Sequence, residues 1–183
     1  MIAAANYSPM HPENWNEACL LPNLYQALAG RRRRHTLLFI AFTDHDQRQQ
    51  GSQSYLSRLT QTQIRSIAAM VDLYVLGMSP TKIWAHHSDK NLVKALVVAV
   101  YALKLPASQV DLAGSVRTDA EPFAENRVPQ ITIHSFTQEA ASHPNDEDSL
   151  PVPFNPGAFY DSYRLIGGFL AYLDESLKTR LHP

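Results

Sequence analysis

Two carboxylates and an imidazole stand together in FTDHDQRQQGSQSY, residues 42–55, directly after the apolar run HTLLFIAF. Asp44, His45 and Asp46 form a donor set able to ligate a divalent metal or move a proton. Position matters as much as type, because open α/β sheets gather their chemistry in the crevice outside the carboxyl ends of buried strands. The plainer reading is that His45 and Asp46 are polar residues at a strand end, facing solvent or each other.

Other clusters explain themselves without a ligand. His86 and His87 are adjacent, and neighbours on a strand point to opposite faces, so they do not share one ion. Asp89 after them is placed to cap a helix. His134 in ITIHS reads as a strand-end histidine with its hydrogen bonds satisfied. Ser52 lacks the G-x-S-x-G elbow, and no G-x-x-x-x-G-K-[ST] or G-x-G-x-x-G is present, so serine hydrolase and nucleotide-binding chemistry have no support.

The elements that must hold these residues alternate. IAAANY at residues 2–7 reads as a core strand, and ACLLPNLYQALAG as a helix with Pro near its first turn and Gly at its end. TLLFIAF, an unbroken apolar run, predicts a fully buried strand. Short helical pieces follow over 52–59 and 61–67, then strands in AAMVDLYVLG and KIWAH. Asp89 opens the long helix DKNLVKALVVAVYALKL, whose apolar residues recur at helical spacing. QVDLA is a strand candidate, Asp119 a cap for a short helix through Ala124, and PQITIHS another strand. Residues 136–156 are polar and proline-bearing and read as a long loop. The last helix, GAFYDSYRLIGGFLAYLDESLKTR, is amphipathic, and Gly167 and Gly168 either weaken it or mark a close helix–sheet contact. Strands separated by helices predict a single α/β domain, a three-layer sandwich around a mixed, mostly parallel sheet.

Composition narrows the function classes. Hydrophobic residues make up 45% and charged residues 18% of the 183, and 16 basic against 17 acidic residues leave a net charge of −1. Such a balance gives no global field for nucleic acid or anionic lipid. Arg31–Arg34 with His35 form a local basic run, read as a solvated turn whose arginines suit a helix C-terminus. Cys19 is the sole cysteine, so no intrachain disulfide forms. No apolar run approaches the roughly 20 residues of a membrane span, and MIAAANYSPMHP has no secretory-leader pattern. As written, a cytoplasmic location is expected.

Four segments, in order, resemble the zinc aminopeptidase family that includes bacterial leucyl aminopeptidase, aminopeptidase Y and glutamate carboxypeptidase-like proteins. FTDHDQRQQGSQSY is similar to that family's F-x-x-E-E-x-G-x-x-G-S-x-x-Y, and VDLYVLG to its N-L-D-x-x-G. RTDAEPFAENRVPQITIHS is similar to its S-D-H-x-P-F followed by G-I-P-x-x-x-I-H-S, and ENWNEACLLPNLYQAL to its D-N-x-S-G helix start. The resemblance implies a zinc-exopeptidase-like sandwich and, in the family, two zinc ions that activate a bridging water, with a Glu as general base. Carried over, the family's first His falls on Asn6, its bridging Asp on Glu13 and its motif Gly on Glu17. The general-base Glu falls on His45, the next ligand Glu on Asp46, the Asp of N-L-D on Tyr74 and the last His on His143.

So one position is kept in kind, two keep a carboxylate of altered length, and Asn6, His45 and Tyr74 change chemistry. The implied function is a peptidase-like domain with impaired or lost hydrolysis and a retained cleft for a peptide or protein ligand, holding one zinc ion or none. The alternative is an active mono-zinc aminopeptidase or amidase with Glu13, Asp46 and His143 as ligands and His45 as base or fourth ligand. Family members carry strands before the one matching IAAANY, so an uncovered sheet edge and a homo-oligomer are expected here. The family is often exported, whereas this chain shows no leader.

Overall fold

The structure, a computed structural model, describes residues 1–7, 16–43, 50–113, 116–142 and 153–177. Its six strands are β1 (Ile2–Asn6), β2 (Leu38–Phe42), β3 (Met70–Tyr74), β4 (Thr81–Ile83), β5 (Ala107–Gln109) and β6 (Gln130–His134). They form one sheet in the order β2-β1-β3-β6-β4-β5. β2, β1, β3 and β6 run parallel, β4 is antiparallel to β6, and β5 is parallel to β4. The expected α/β sandwich with a mixed, mostly parallel sheet is what forms.

Two layers of helix cover the sheet. On one face lie α1 (Asn16–Ala29), α4 (Lys90–Leu103) and α7 (Pro156–Ser176), which send Leu24, Leu96 and Phe169 against Ala3, Val71, Leu73, Ile131 and Ile133. On the other lie α2 (Gln50–Ser57), α3 (Gln61–Ser66) and α5 (Glu121–Glu125), which pack Leu56, Ile64 and Phe123 against Ile2, Ala4 and Met70. Alternation of side chains along β1 and β3 feeds both cores at once, which is why these strands read as continuous apolar runs. A short helix α6 (Gln138–Ser142) follows β6 and joins a third cluster with Trp84 and Phe136.

Local signals explain the boundaries. Asp89 caps α4 by accepting the amides of Asn91 and Leu92, and Asn155 caps α7 by accepting that of Ala158. Thr60 and Gln63 form a reciprocal capping box on α3. Arg33 donates to the carbonyl of Leu28 at the end of α1, the role expected of the basic run.

Several expectations shift. TLLFIAF becomes β2, but at the sheet's edge, with Leu38 43% exposed. Apolar content marks burial of the two faces, and it does not report whether a neighbour strand covers the edge. KIWAH divides into β4 and a 3-10 turn at Ala85–His87, where His86 bonds Asp111 and His87 stacks on Trp84. The strand sought in QVDLA lies earlier, at β5. Residues 136–142 hold α6 and its approach rather than loop. Gly168 does mark a close contact, but with a helix: a Cβ there would stand 2.6 Å from Cδ1 of Leu103 on α4. Among the described residues, no helix is long and apolar enough to cross a membrane.

Candidate functional site

Because β2, β1, β3 and β6 run the same way, their carboxyl ends form one rim, and its residues are Phe42, Asn6, Tyr74 and His134. Asn6 pairs in register with Phe42, and it follows the last β1–β3 couple, Ala5 with Leu73, so Tyr74 is its neighbour on the other side. Asn6 is buried, and its Oδ1 has no hydrogen-bond partner among the described residues. Tyr74 leans on Phe136, ring centroids 5.7 Å apart. His134 is fully buried: Nε2 lies 2.8 Å from the carbonyl of Val110, and Nδ1 accepts the amide of Phe136. Burial lowers its pKa to about 4, so it is a neutral, fixed histidine. The sequence expectation for His134 holds.

The turn after β3 is tied down from two sides. Val75 has φ of 47°, the left-handed region that a β-branched residue rarely enters. Its carbonyl accepts both the amide and the hydroxyl of Ser135, each at 2.9 Å, and the Ser135 Oγ also accepts the amide of Met78. The amides of Val75 and Leu76 are turned toward the carboxyl group of Glu17 at the start of α1. Two successive amides around a left-handed residue make a cradle for an anion. Burial nevertheless dominates and raises the Glu17 pKa to about 8, against those amides and with the Asp72 carboxyl adding to it. Glu17 is therefore mostly protonated at neutral pH, and its Oε2 has no hydrogen-bond partner among the described residues.

One layer deeper lies a second acid. Asp72, inside β3, is buried, and its Oδ2 accepts the hydroxyl of Thr132 at 3.2 Å. Burial raises its pKa to about 8, the nearby Asp119 charge adds to the rise, and the hydroxyls of Thr118 and Thr132 oppose it. Asp119 is not the helix cap expected of it. The cap position of α5 is Ala120, without a side-chain bond, and Asp119 is buried beside Asp72. Asp72 is therefore mostly protonated at neutral pH, beside the Asp119 charge. Neither Asp72 nor Asp119 entered the sequence reading as a site residue. The available signal was an acid in the middle of the apolar run AAMVDLYVLG.

Glu13, His45, Asp46 and His143 lie outside the described residues. In sequence, Glu13 falls between β1 and α1, His45 and Asp46 just after β2, and His143 just after α6. Asn6 and Tyr74 are brought together on the rim. A carboxamide and a phenol there do not fit a two-zinc centre: amide oxygen is a poor zinc donor beside imidazole, and phenol is not among the usual His, Cys, Asp and Glu ligands of zinc. Among the described residues, no group of three or more His, Cys, Asp or Glu side chains is placed to hold a metal ion.

The family model for peptidase family M28 matches residues 18–159. The fold is similar to that of BSAP, a zinc aminopeptidase from Bacillus subtilis, with a TM-score of 0.79 and 16% identity over 100% of this chain and 47% of that one. It is similar also to the LapA aminopeptidase of Legionella pneumophila, with a TM-score of 0.78 and 14% identity over 97% of this chain and 52% of the other. An aminopeptidase from Aneurinibacillus sp. strain AM-1 follows at a TM-score of 0.71 and 21% identity, with 94% of this chain and 43% of that chain covered. The chain thus spans about half the length of these solved structures. No curated protein matches it.

Proposed function

The chain belongs to peptidase family M28, and on that premise we propose that it is a zinc-aminopeptidase-like domain whose hydrolytic chemistry is impaired or lost and whose cleft binds a peptide or protein ligand. The observation that carries this reading is the rim of the sheet. Where a zinc pair needs an imidazole and a carboxylate on adjacent strands, β1 ends in buried Asn6 and β3 in Tyr74, held against Phe136. A carboxamide and a phenol are poor zinc ligands beside imidazole and carboxylate, which supports the loss of a two-metal clamp about one water. The turn that follows stays highly ordered by hydrogen bonds, which supports a cleft kept for binding.

A mono-zinc aminopeptidase or amidase is the second reading, and two oxygens favour it. Asn6 Oδ1 and Glu17 Oε2 are buried without a hydrogen-bond partner among the described residues, a state that a donor or a cation would relieve. In that reading Glu13, Asp46 and His143 would hold the ion, and His45 would act as base.

Metal content decides between them. Untagged protein dialysed against trace zinc is weighed by native mass spectrometry and assayed with aminoacyl substrates. No bound zinc and no turnover is the expected result. One tight zinc that disappears together with turnover in Asp46→Ala establishes the mono-zinc enzyme. About two zinc ions per chain overturns both readings.

A further inference from the structure

A cavity of about 110 Å³ lies under α5, over the amino-terminal part of β6 and the Ala85–His87 turn. It has room for a few waters or one small organic ion. Ile131 and Ile133 enter the core on the face of α1, α4 and α7, so by alternation Gln130 and Thr132 face the cavity. Gln130 is only 8% exposed, and its Nε2 donates to the carbonyl of His87. That bond fixes the amide, because the reverse placement would set two oxygens together. Oε1 is left buried without a hydrogen-bond partner among the described residues. Thr132 donates its hydroxyl to Asp72, and the Thr118 hydroxyl bonds the same carboxyl. With those protons committed, both threonine oxygens remain as acceptors on the cavity wall. Trp84 completes the wall, its ring stacked on His87 with centroids 4.2 Å apart.

We infer that this cavity is a binding site for a small primary ammonium ion, separate from the rim of the sheet. Gln130 Oε1 and the hydroxyl oxygens of Thr118 and Thr132 accept its N–H groups, and its alkyl stem lies along Trp84. The match is one of number and kind, since a primary ammonium carries three donors and no acceptor. A guanidinium would bring five donors to three oxygens. A bare calcium or magnesium ion would find three neutral oxygens where it takes six or more ligands. The aromatic pair offers a π face to a cation. Asp119 is buried and flanked in sequence by Thr118 and Ala120 of the lining, so it sets negative charge behind the wall. That charge offsets part of the cost of burying a positive one. Nearer the surface Arg117 and Glu121 pair with each other.

The test is a titration of the intact chain with ethylammonium chloride at constant ionic strength, followed by NMR at the Trp84 indole N–H and the Gln130 side-chain amide. Saturable shifts in the millimolar range are expected, the affinity open to so small a ligand. Ethanol, of similar size but uncharged, and potassium chloride should leave both signals in place. Gln130→Met removes the orphan acceptor at similar length and should weaken binding by at least about tenfold. Ala124→Leu fills the cavity from an exposed position of α5, gives the same loss and decides the matter if Gln130→Met does not fold. Shifts that never saturate, the sign of a cavity holding water alone, overturn the inference. So do equal shifts with ethanol or potassium chloride, or an ethylammonium affinity unchanged by Ala124→Leu.

Discussion

Replacing Asp72 by Asn tests whether a protonated acid really sits inside β3. Asp72 has an ordinary pKa of 3.8 and a folded value of about 8. Across that window the folded protein holds a proton that the unfolded chain has released, so stability is highest at low pH and falls as pH rises toward 8. The slope is about 1.4 kcal/mol per pH unit for one carboxyl, and the whole window sets a ceiling of about 6 kcal/mol. Glu17, also raised to about 8 from 4.5, tilts the curve the same way. His134, lowered from 6.5 to about 4, opposes them below about pH 6.5, so the wild type should lose about 1.4 kcal/mol per unit between about pH 5 and about pH 6 if all three contribute fully. Asn keeps an oxygen for the Thr132 hydroxyl and turns an amide donor toward Asp119, with no proton to lose. Urea unfolding at a series of pH values should then show a nearly flat profile between about pH 5 and about pH 6, where Glu17 and His134 offset each other, with the variant the more stable form at pH 8. An unchanged slope, or a deficit of constant size at every pH, would refute the buried-proton argument.

Two more outcomes follow from the same structure. Asp174 of α7 accepts the amides of Arg34 and His35 at 3.1 and 2.8 Å, and these bonds hold its pKa down although burial pushes it up. Its contribution is present above the ordinary carboxylate pKa and fades as pH falls through the lowered one. Asp174→Asn should cost about 1–3 kcal/mol at neutral pH in chemical unfolding, and much less in acid. Gly168 and Gly167 are neighbours in α7 with different surroundings: an added Cβ meets Leu103 at 2.6 Å from Gly168, but Leu24 at an ordinary 3.7 Å from Gly167. Thermal melts should show Gly168→Ala destabilised by about 1–2 kcal/mol and Gly167→Ala unchanged or stabilised by up to about 1 kcal/mol.

The scaffold was legible because its signals are local and periodic. The capping acid Asp89, the apolar spacing of α4 and the runs that became β1, β3 and β6 each act over a few residues. What escaped depends on partners distant in sequence. The edge position of β2 is set by which strands lie beside it, which an apolar run does not encode. Asp119 looks like a cap because it precedes a short helix, and only the approach of β3 turns it into the partner of Asp72. Glu17 looks like an ordinary first-turn acid, and only the turn at Val75 lays two amides against it. Of the site, Asn6 and Tyr74 could be named in advance and are found together on the rim.

The exchange along β3 says more about chemistry than any single substitution. The family motif N-L-D-x-x-G sets an amide inside the strand and an acid at its end; VDLYVLG sets Asp72 inside and Tyr74 at the end. Positions 72 and 74 lie on the same face of the strand, so the acid has moved inward by one step of the pleat. At the rim a carboxylate would be ionised and could face a cation or a substrate amine. Two residues deeper it is buried, protonated and bonded to threonines, and its charge is withdrawn from the cleft. A phenol at that rim position packs against Phe136 instead. On the proposed reading, loss of a ligand and gain of packing thus arise from the same two residues.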